Sequence, residues 1–279
     1  MNPRDHALFR NYPLNGNALV SVGSVPTPYH IYDGYGVFIG GTADLAAVQT
    51  LLRGEQVLPL TTEAGRALMG IWICDFVEAS LSPHHELQFS IFVTRNPSSP
   101  PLLAHPIGLL SAMLTRPDLQ MLCHGLWNNT PQVVAYNREL LSLNARLTAS
   151  HLEQTGGTVK FSFSDTETGH SLLDGQLALP QRTPSAITRA LMTQMGFFRA
   201  LRVARQPAVH MQVVNPLGVN LTHNAVADAY TSNATNHIRE YTAATDRLSI
   251  GASVYRELDF EPQIIQFMTG FKFVYLNPR

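Results

Sequence analysis

Thr130-Pro131-Gln132-Val133-Val134-Ala135-Tyr136-Asn137-Arg138-Glu139-Leu140 leads, after a short gap, into Ala145-Arg146-Leu147. Thr130-Pro131 sets a capping residue before a proline, whose missing N–H and fixed φ suit the first helical position, so the pattern predicts a helix carrying Val134 to Glu139. Leu147 to Gln154 then reads as the first strand of a meander with Thr158 to Ser164 and Ser171 to Leu179, broken at Gly156-Gly157 and Gly169. A short helix feeding a run of strands is the pattern of the whole chain.

Upstream, Tyr35 to Ile39 is aromatic and β-branched, among Gly34, Gly36, Gly40 and Gly41. Glycines inside a strand mark bends or close backbone approach. Thr42 offers an N-cap for a short helix over Ala43 to Val48, with Asp44 in its first turn. Arg66 to Ala79 and His85 to Thr94 read as two long strands joined through Leu81-Ser82-Pro83. In the second, Leu87, Phe89, Ile91 and Val93 alternate with Glu86, Gln88 and Ser90. Asn96 to Pro101 is loop, followed by a helix over Ile107 to Leu114. Downstream, Thr183-Pro184 opens a helix whose Ile187, Leu191, Met195 and Phe198 recur at helical spacing, with Arg199, Arg202 and Arg205 at its C-terminal end. Val209 to Val214, Leu217 to Ala225, Leu248 to Leu258 and Ile264 to Leu276 supply the last strands. Many strands with a few peripheral helices predict a mainly β, closed or nearly closed structure.

No Ser/Gly/Pro linker divides the 279 residues, so a single domain over 1–279 is expected. Charged residues make up 14%, against roughly 25% for an average soluble protein. Such a shortfall suits a large β core and surfaces hidden in a homo-oligomer. Net charge is −1, and Lys160 and Lys272 are the only lysines, so nothing builds a phosphate-neutralising patch for nucleic acid. No apolar run approaches the roughly 20 residues that span a bilayer. Met1 to His6 has no apolar stretch behind it, and Cys74 and Cys123 lie in apolar surroundings as buried thiols, so a cytoplasmic protein is expected. No His/Cys/Asp/Glu group has zinc spacing, His84-His85-Glu86 is not the two-histidine helical motif, and the glycines at 34–41 do not form a dinucleotide loop. Neither a metal nor an organic cofactor is assigned.

Pro28-Tyr29 before a strand and the Asp44 helix, the Glu86 strand, the Arg138-Glu139-Leu140 run and the closing Phe271-Lys272-Phe273-Val274-Tyr275-Leu276 follow one another from about residue 26 onward. In this order and spacing the chain resembles the acetoacetate decarboxylase superfamily. The resemblance implies a cone-shaped closed β-barrel around a small-molecule cavity, usually oligomeric. Residues 1–25 would then be an N-terminal arm, and 97–126 and 183–205 insertions. In that family the Arg-Glu-Leu run leads into two adjacent lysines, one of which forms the Schiff base with the keto acid while its neighbour depresses its pKa. Here the two positions read Ala145 and Arg146. Alanine cannot make an imine, and arginine stays protonated at any working pH. A second family carboxylate falls at Gly70 and a cavity arginine near Gly34, so both of those charges are missing too.

The resemblance makes Glu86 the first candidate catalytic residue, because it matches a carboxylate lining the family's cavity. Buried among apolar groups, its pKa would rise and let it move a proton near neutrality; the alternative is a solvated position on a polar face with Gln88 and Ser90. Arg146, if it faces the cavity, would hold a carboxylate or polarise a carbonyl; otherwise it would form a structural ion pair, for instance with Glu139. His84 shares Glu86's side of its strand and is the third catalytic candidate. Tyr136, Arg138, Glu139, Trp127 and His124 are candidate substrate contacts. Against them stand a scaffold role for Arg138-Glu139 and a packed tryptophan beside a turn. Met192, Met195, Phe197 and Phe198 would make a lid or the face of an ordinary packed helix.

The expected function is an acetoacetate-decarboxylase-like enzyme without Schiff-base chemistry, acting by acid/base transfer and confinement on a keto-acid or polyketide-like molecule. The step would be that of a lyase, dehydratase, isomerase or cyclase in specialised metabolism. Two alternatives stand beside it: a catalytically silent barrel that binds a small molecule, and a decarboxylase or aldolase using a relocated Lys160 or Lys272.

Overall fold

The computed structural model describes residues 3–102, 106–196, 208–217 and 224–278. The chain opens with helix α1 (Ala7–Asn11), hairpin β1 (Gly16–Val20) and β2 (Gly23–Thr27), strand β3 (Tyr29–Ala43) and helix α2 (Leu45–Leu51). Then come β4 (Leu58–Pro59), β5 (Ala67–Ala79), β6 (His84–Thr94), α3 (Pro106–Thr115), β7 (Gln120–Asn128) and α4 (Pro131–Glu139). The meander β8 (Ala145–Thr155), β9 (Thr158–Asp165) and β10 (Ser171–Ala178) is followed by α5 (Ser185–Met195). The chain closes with β11 (Val209–Val214), β12 (Val226–Ser232), β13 (Thr235–Glu240), β14 (Arg247–Ile250), α6 (Ser253–Arg256), β15 (Glu261–Thr269) and β16 (Lys272–Tyr275).

Hydrogen-bonded pairs run β3–β5–β6–β7–β11–β12–β16 and back to β3, a ring that realises the expected β-barrel. Two long strands each serve two neighbours along one edge. β7 pairs in parallel with β11 at Met121–Leu122 and with β8 at Leu126–Asn128. β3 pairs with β16 at Tyr29–Ile31 and with β15 between Tyr35 and Thr42. From these junctions β8–β9–β10–β14 and β15–β13 peel away from the ring.

Because successive strand side chains point to opposite faces, a ring covered outside and filled inside needs apolar residues on both. Phe38, Cys74, Phe76, Phe92, Met121, Cys123 and Tyr275 belong to one buried cluster. Val37, Ile39, Ile71, Ile73, Leu87, Phe89 and Ile91 form another with Phe161, Phe163 and Leu173 of the meander. The predicted apolar face of β6 thus packs outward, under the meander. Glu86, Gln88 and Ser90 turn into the barrel, and Ser90 is fully buried.

Several expectations are corrected. Thr42 lies within β3, which ends at Ala43, and Asp44 is the cap, its carboxylate accepting from the Ala47 N–H at 2.8 Å. Leu248 to Leu258 is not one strand: β14 stops at Ile250 and α6 follows. β12 and β13 were not anticipated, because Ala, Asp, Ser and Asn read poorly as strand residues; of the expected strand Leu217 to Ala225, residues 218–223 lie outside the described residues. The stretch 97–126 contains most of β7, a ring strand, so that part belongs to the barrel itself. Within 183–205 α5 forms as expected, with Ile187 buried and Met192 exposed, while Phe197, Phe198, Arg199, Arg202 and Arg205 lie outside the described residues. The N-terminal arm is packed: Leu8 and Phe9 bury against Tyr32 and Val274, and Val20 and Val25 join the interior cluster.

Candidate active site

Inside the ring lies a chamber of about 60 Å³, room for several waters or one small organic acid. Trp72, Cys74 and Phe76 of β5, Glu86 and Gln88 of β6, and Met211, Ala229, Phe273 and Tyr275 of the closing strands are among its walls. The small Ala229 and Thr231 on β12 leave the space open. Glu86 is the only charged side chain among the described residues lining it.

Register places Glu86 opposite Asn128 of β7, whose Nδ2 donates to Glu86 Oε2 at 3.0 Å. Asn128 Oδ1 in turn accepts from Asn137 Nδ2 of α4 at 2.9 Å. Both asparagines are buried. The helix opened by Thr130-Pro131 therefore clamps the one carboxylate of the chamber. Burial pushes the Glu86 carboxyl up from 4.5 to about 7, and the Asn128 hydrogen bond offsets only part of that rise. The Glu86 side chain is partly buried and lines the chamber.

His84 does not line the chamber; its ring packs against the wall residue Phe76, with centroids 5.1 Å apart. Its Nδ1 is 2.7 Å from the Ser82 carbonyl, which can only accept, so Nδ1 carries the proton. Nε2 is then an acceptor for the Tyr29 hydroxyl at 2.6 Å. Burial lowers the His84 pKa to about 4, so the ring stays neutral and is not an acid near pH 7. Burial first, and then the Glu86 charge, raise the Tyr29 pKa. Tyr136 is fully buried beside Tyr29, with ring centroids 5.5 Å apart, and donates to Thr27 Oγ1 at 3.1 Å.

The other candidates sit elsewhere. Ala145 faces the interior cluster, but the next residue, Arg146, turns out of the barrel into an external groove with His124 and Trp127. One residue along a strand reverses the face, so the expectation that Arg146 serves the chamber is not met; nor does it pair with Glu139. Glu139 and Arg138 are exposed at the end of α4, and Glu139 accepts from the Ser21 N–H at 2.8 Å and from its hydroxyl, tying the helix to the β1–β2 turn. Lys160 is exposed on β9 across from Glu153. Lys272 alternates with the wall residues Phe271 and Phe273, and its Nζ donates to the Gly270 carbonyl at 3.2 Å. Neither lysine lines the chamber.

Both positions where the family resemblance puts a lost charge are sterically closed. A Cβ on Gly70 would lie 2.3 Å from Phe38 Cε2, and one on Gly34 would lie 2.4 Å from the Asp75 carbonyl oxygen. Phe38 has no exposed surface and packs on Trp72 at 4.5 Å between centroids, so its ring has no room to yield. Gly70→Ala is accordingly expected to destabilise the protein by about 1–3 kcal/mol through overpacking. A urea midpoint unchanged from the parent protein would show that Phe38 can move aside.

No protein-family model and no curated protein matches the sequence. Among solved structures, acetoacetate decarboxylase from Legionella pneumophila superposes with a TM-score of 0.60 at 9% identity, covering 99% of this chain and 95% of that one. The chain has the acetoacetate-decarboxylase-like fold. A further acetoacetate decarboxylase structure gives a TM-score of 0.53 at 12% identity, over 91% of this chain and 88% of that chain. The enduracididine biosynthesis enzyme MppR, complexed with pyruvate, gives 0.54 at 9% identity, over 91% and 90%. Asn137, Tyr29 and Trp72 escape the sequence reading as site residues because only strand register and helix docking bring them around Glu86.

Proposed function

We propose that this protein is an enzyme of the acetoacetate-decarboxylase-like fold that moves protons with Glu86 on a small oxygenated substrate, without forming an imine. The observation that carries this reading is the single carboxyl of the chamber, poised near neutrality by apolar walls and steadied by Asn128. A group with its pKa near the working pH is both an effective base and an effective acid. Trp72 adds a donor on the same wall: its indole N–H is buried without a hydrogen-bond partner among the described residues, and a substrate oxygen would satisfy it. Pyruvate bound to MppR is a keto acid held in the same fold. An imine route would need a lysine, and neither Lys160 nor Lys272 is among the residues lining the chamber. Without that electron sink, enolisation, dehydration, isomerisation or ring closure suits the site better than decarboxylation of a stable acid.

Proton wash-out tests this directly. Small 2-oxo and 3-oxo acids incubated with the protein in D2O are expected to lose α-protons faster than in buffer, as followed by NMR, and Glu86→Gln is expected to abolish the gain. Borohydride added to the same mixtures should leave no adduct by mass spectrometry. An adduct on Lys160 or Lys272 would restore the imine reading. Exchange equal to buffer with every acid, despite saturable binding, would leave a silent binding barrel instead.

A further inference from the structure

His124, Trp127 and Arg146 meet on the far side of β7 from Glu86, in an open groove of about 720 Å³. Asn144 and Arg146 of the α4–β8 junction, Asp165, Thr168 and His170 of the β9–β10 turn, and Ser253, Tyr255 and Arg256 of α6 border it. Arg146 and Arg256 are exposed, and among the described residues neither guanidinium forms a salt bridge. Asp165 is the one carboxylate on the rim; its Oδ1 accepts from the backbone N–H groups of Thr168 and Glu167 and from the Thr168 hydroxyl, and these bonds, with a smaller contribution from the Arg146 charge, lower its pKa. His124 contacts the Tyr255 hydroxyl at 2.9 Å, and burial followed by the Arg146 charge keeps it neutral. The floor is rigid: Tyr255 stacks on Phe89 with centroids 4.0 Å apart, and Trp127 is 4% exposed.

We propose that this groove is a second binding site, separate from the chamber, for a small organic anion carrying a carboxylate or phosphate group. Two exposed guanidiniums that form no salt bridge among the described residues, set on a packed aromatic floor, offer the planar donor forks that oxyanions take in bidentate fashion. The groove, at about 720 Å³, falls within the size range of ordinary ligand sites. This inference stands independently of the chemistry proposed for Glu86.

Isothermal titration of the full chain with inorganic phosphate in one arm and succinate in the other tests it. Saturable binding is expected in at least one arm, weakening as sodium chloride is added. Arg146→Ala and Arg256→Ala should each weaken it at least about tenfold, the loss of roughly one charge-assisted hydrogen-bond pair. Both side chains are exposed, so these variants are expected to fold. Glu86→Gln should leave this affinity unchanged, which separates the groove from the chamber. Response to phosphate alone would mark a phosphate-bearing ligand, and response to succinate alone a carboxylate. No saturable binding at millimolar concentration in either arm, or an affinity that both arginine variants leave intact, would overturn the proposal.

Discussion

Replacing Glu86 with glutamine is expected to lower turnover by about 10²–10⁴, the usual contribution of one positioned acid or base, while leaving the fold in place. Glutamine keeps an oxygen for the Asn128 Nδ2 hydrogen bond, so the network from Asn137 survives and only the proton is lost. The same variant should be the more stable protein in alkali. Glu86 has a folded-state pKa of about 7 against 4.5 when unfolded, so between those values the native state holds a proton the unfolded chain has released. Stability from this group is full below about pH 4.5 and is lost as pH rises through 7. That difference amounts to roughly 3 kcal/mol at most. Melting temperatures of the parent protein and of Glu86→Gln should therefore diverge between pH 5 and 8, the variant rising relative to the parent. Curves that stay parallel would mean that Glu86 is solvated and ordinary, and the proton-transfer reading would fail with it.

Arg239→Ala is expected to cost about 3–5 kcal/mol, because it strands a buried carboxylate. Asp246 has no exposed side-chain surface, and Arg239 of β13 reaches it with two guanidinium nitrogens, one at 2.7 Å. Arg239 Nε also donates to the Ala178 carbonyl of β10 at 3.0 Å, so this pair ties the meander to the β13–β15 extension. Burial works to raise the Asp246 pKa, but hydrogen bonds from Arg239 and from the Thr242 and Ala178 backbone outweigh it and hold it below 3.8. A lowered carboxyl pKa stabilises above the unfolded value and is lost as pH falls, so the gap between parent and variant should narrow in acid. Guanidinium unfolding at pH 7 and at pH 3 measures both quantities. A loss under about 1 kcal/mol at pH 7 would place the pair among weak surface bridges.

The β6 alternation was legible in the residues: Leu87, Phe89, Ile91 and Val93 do share a face. The residues alone left the polar face two readings, solvent or cavity, and only the resemblance favoured the cavity. Here the polar face meets a chamber, because the meander covers the outside. Arg146 failed for a related reason. Its neighbour Ala145 holds the interior position, and nothing local says which of two adjacent strand residues will point in. The Thr130-Pro131 helix was readable from its cap, yet the use of its Asn137 against Asn128 depends on how α4 docks. Tyr29 was visible only as a landmark before a strand, although its hydroxyl fixes the orientation of His84.

What the sequence determined by itself was period, punctuation and chemical inventory: a mainly β chain with two lysines, neither at the position where the family resemblance puts the imine. Those are properties of nearest neighbours and of composition, and they need no folding to be read. Which carboxyl is desolvated, which arginine is left outside and which cavity stays open were decided by ring closure, because desolvation and hydrogen-bond partnership arise between residues tens of positions apart. Glu86 and Asn128 stand 42 residues apart, and only the pairing of β6 with β7 in this register brings them within 3.0 Å.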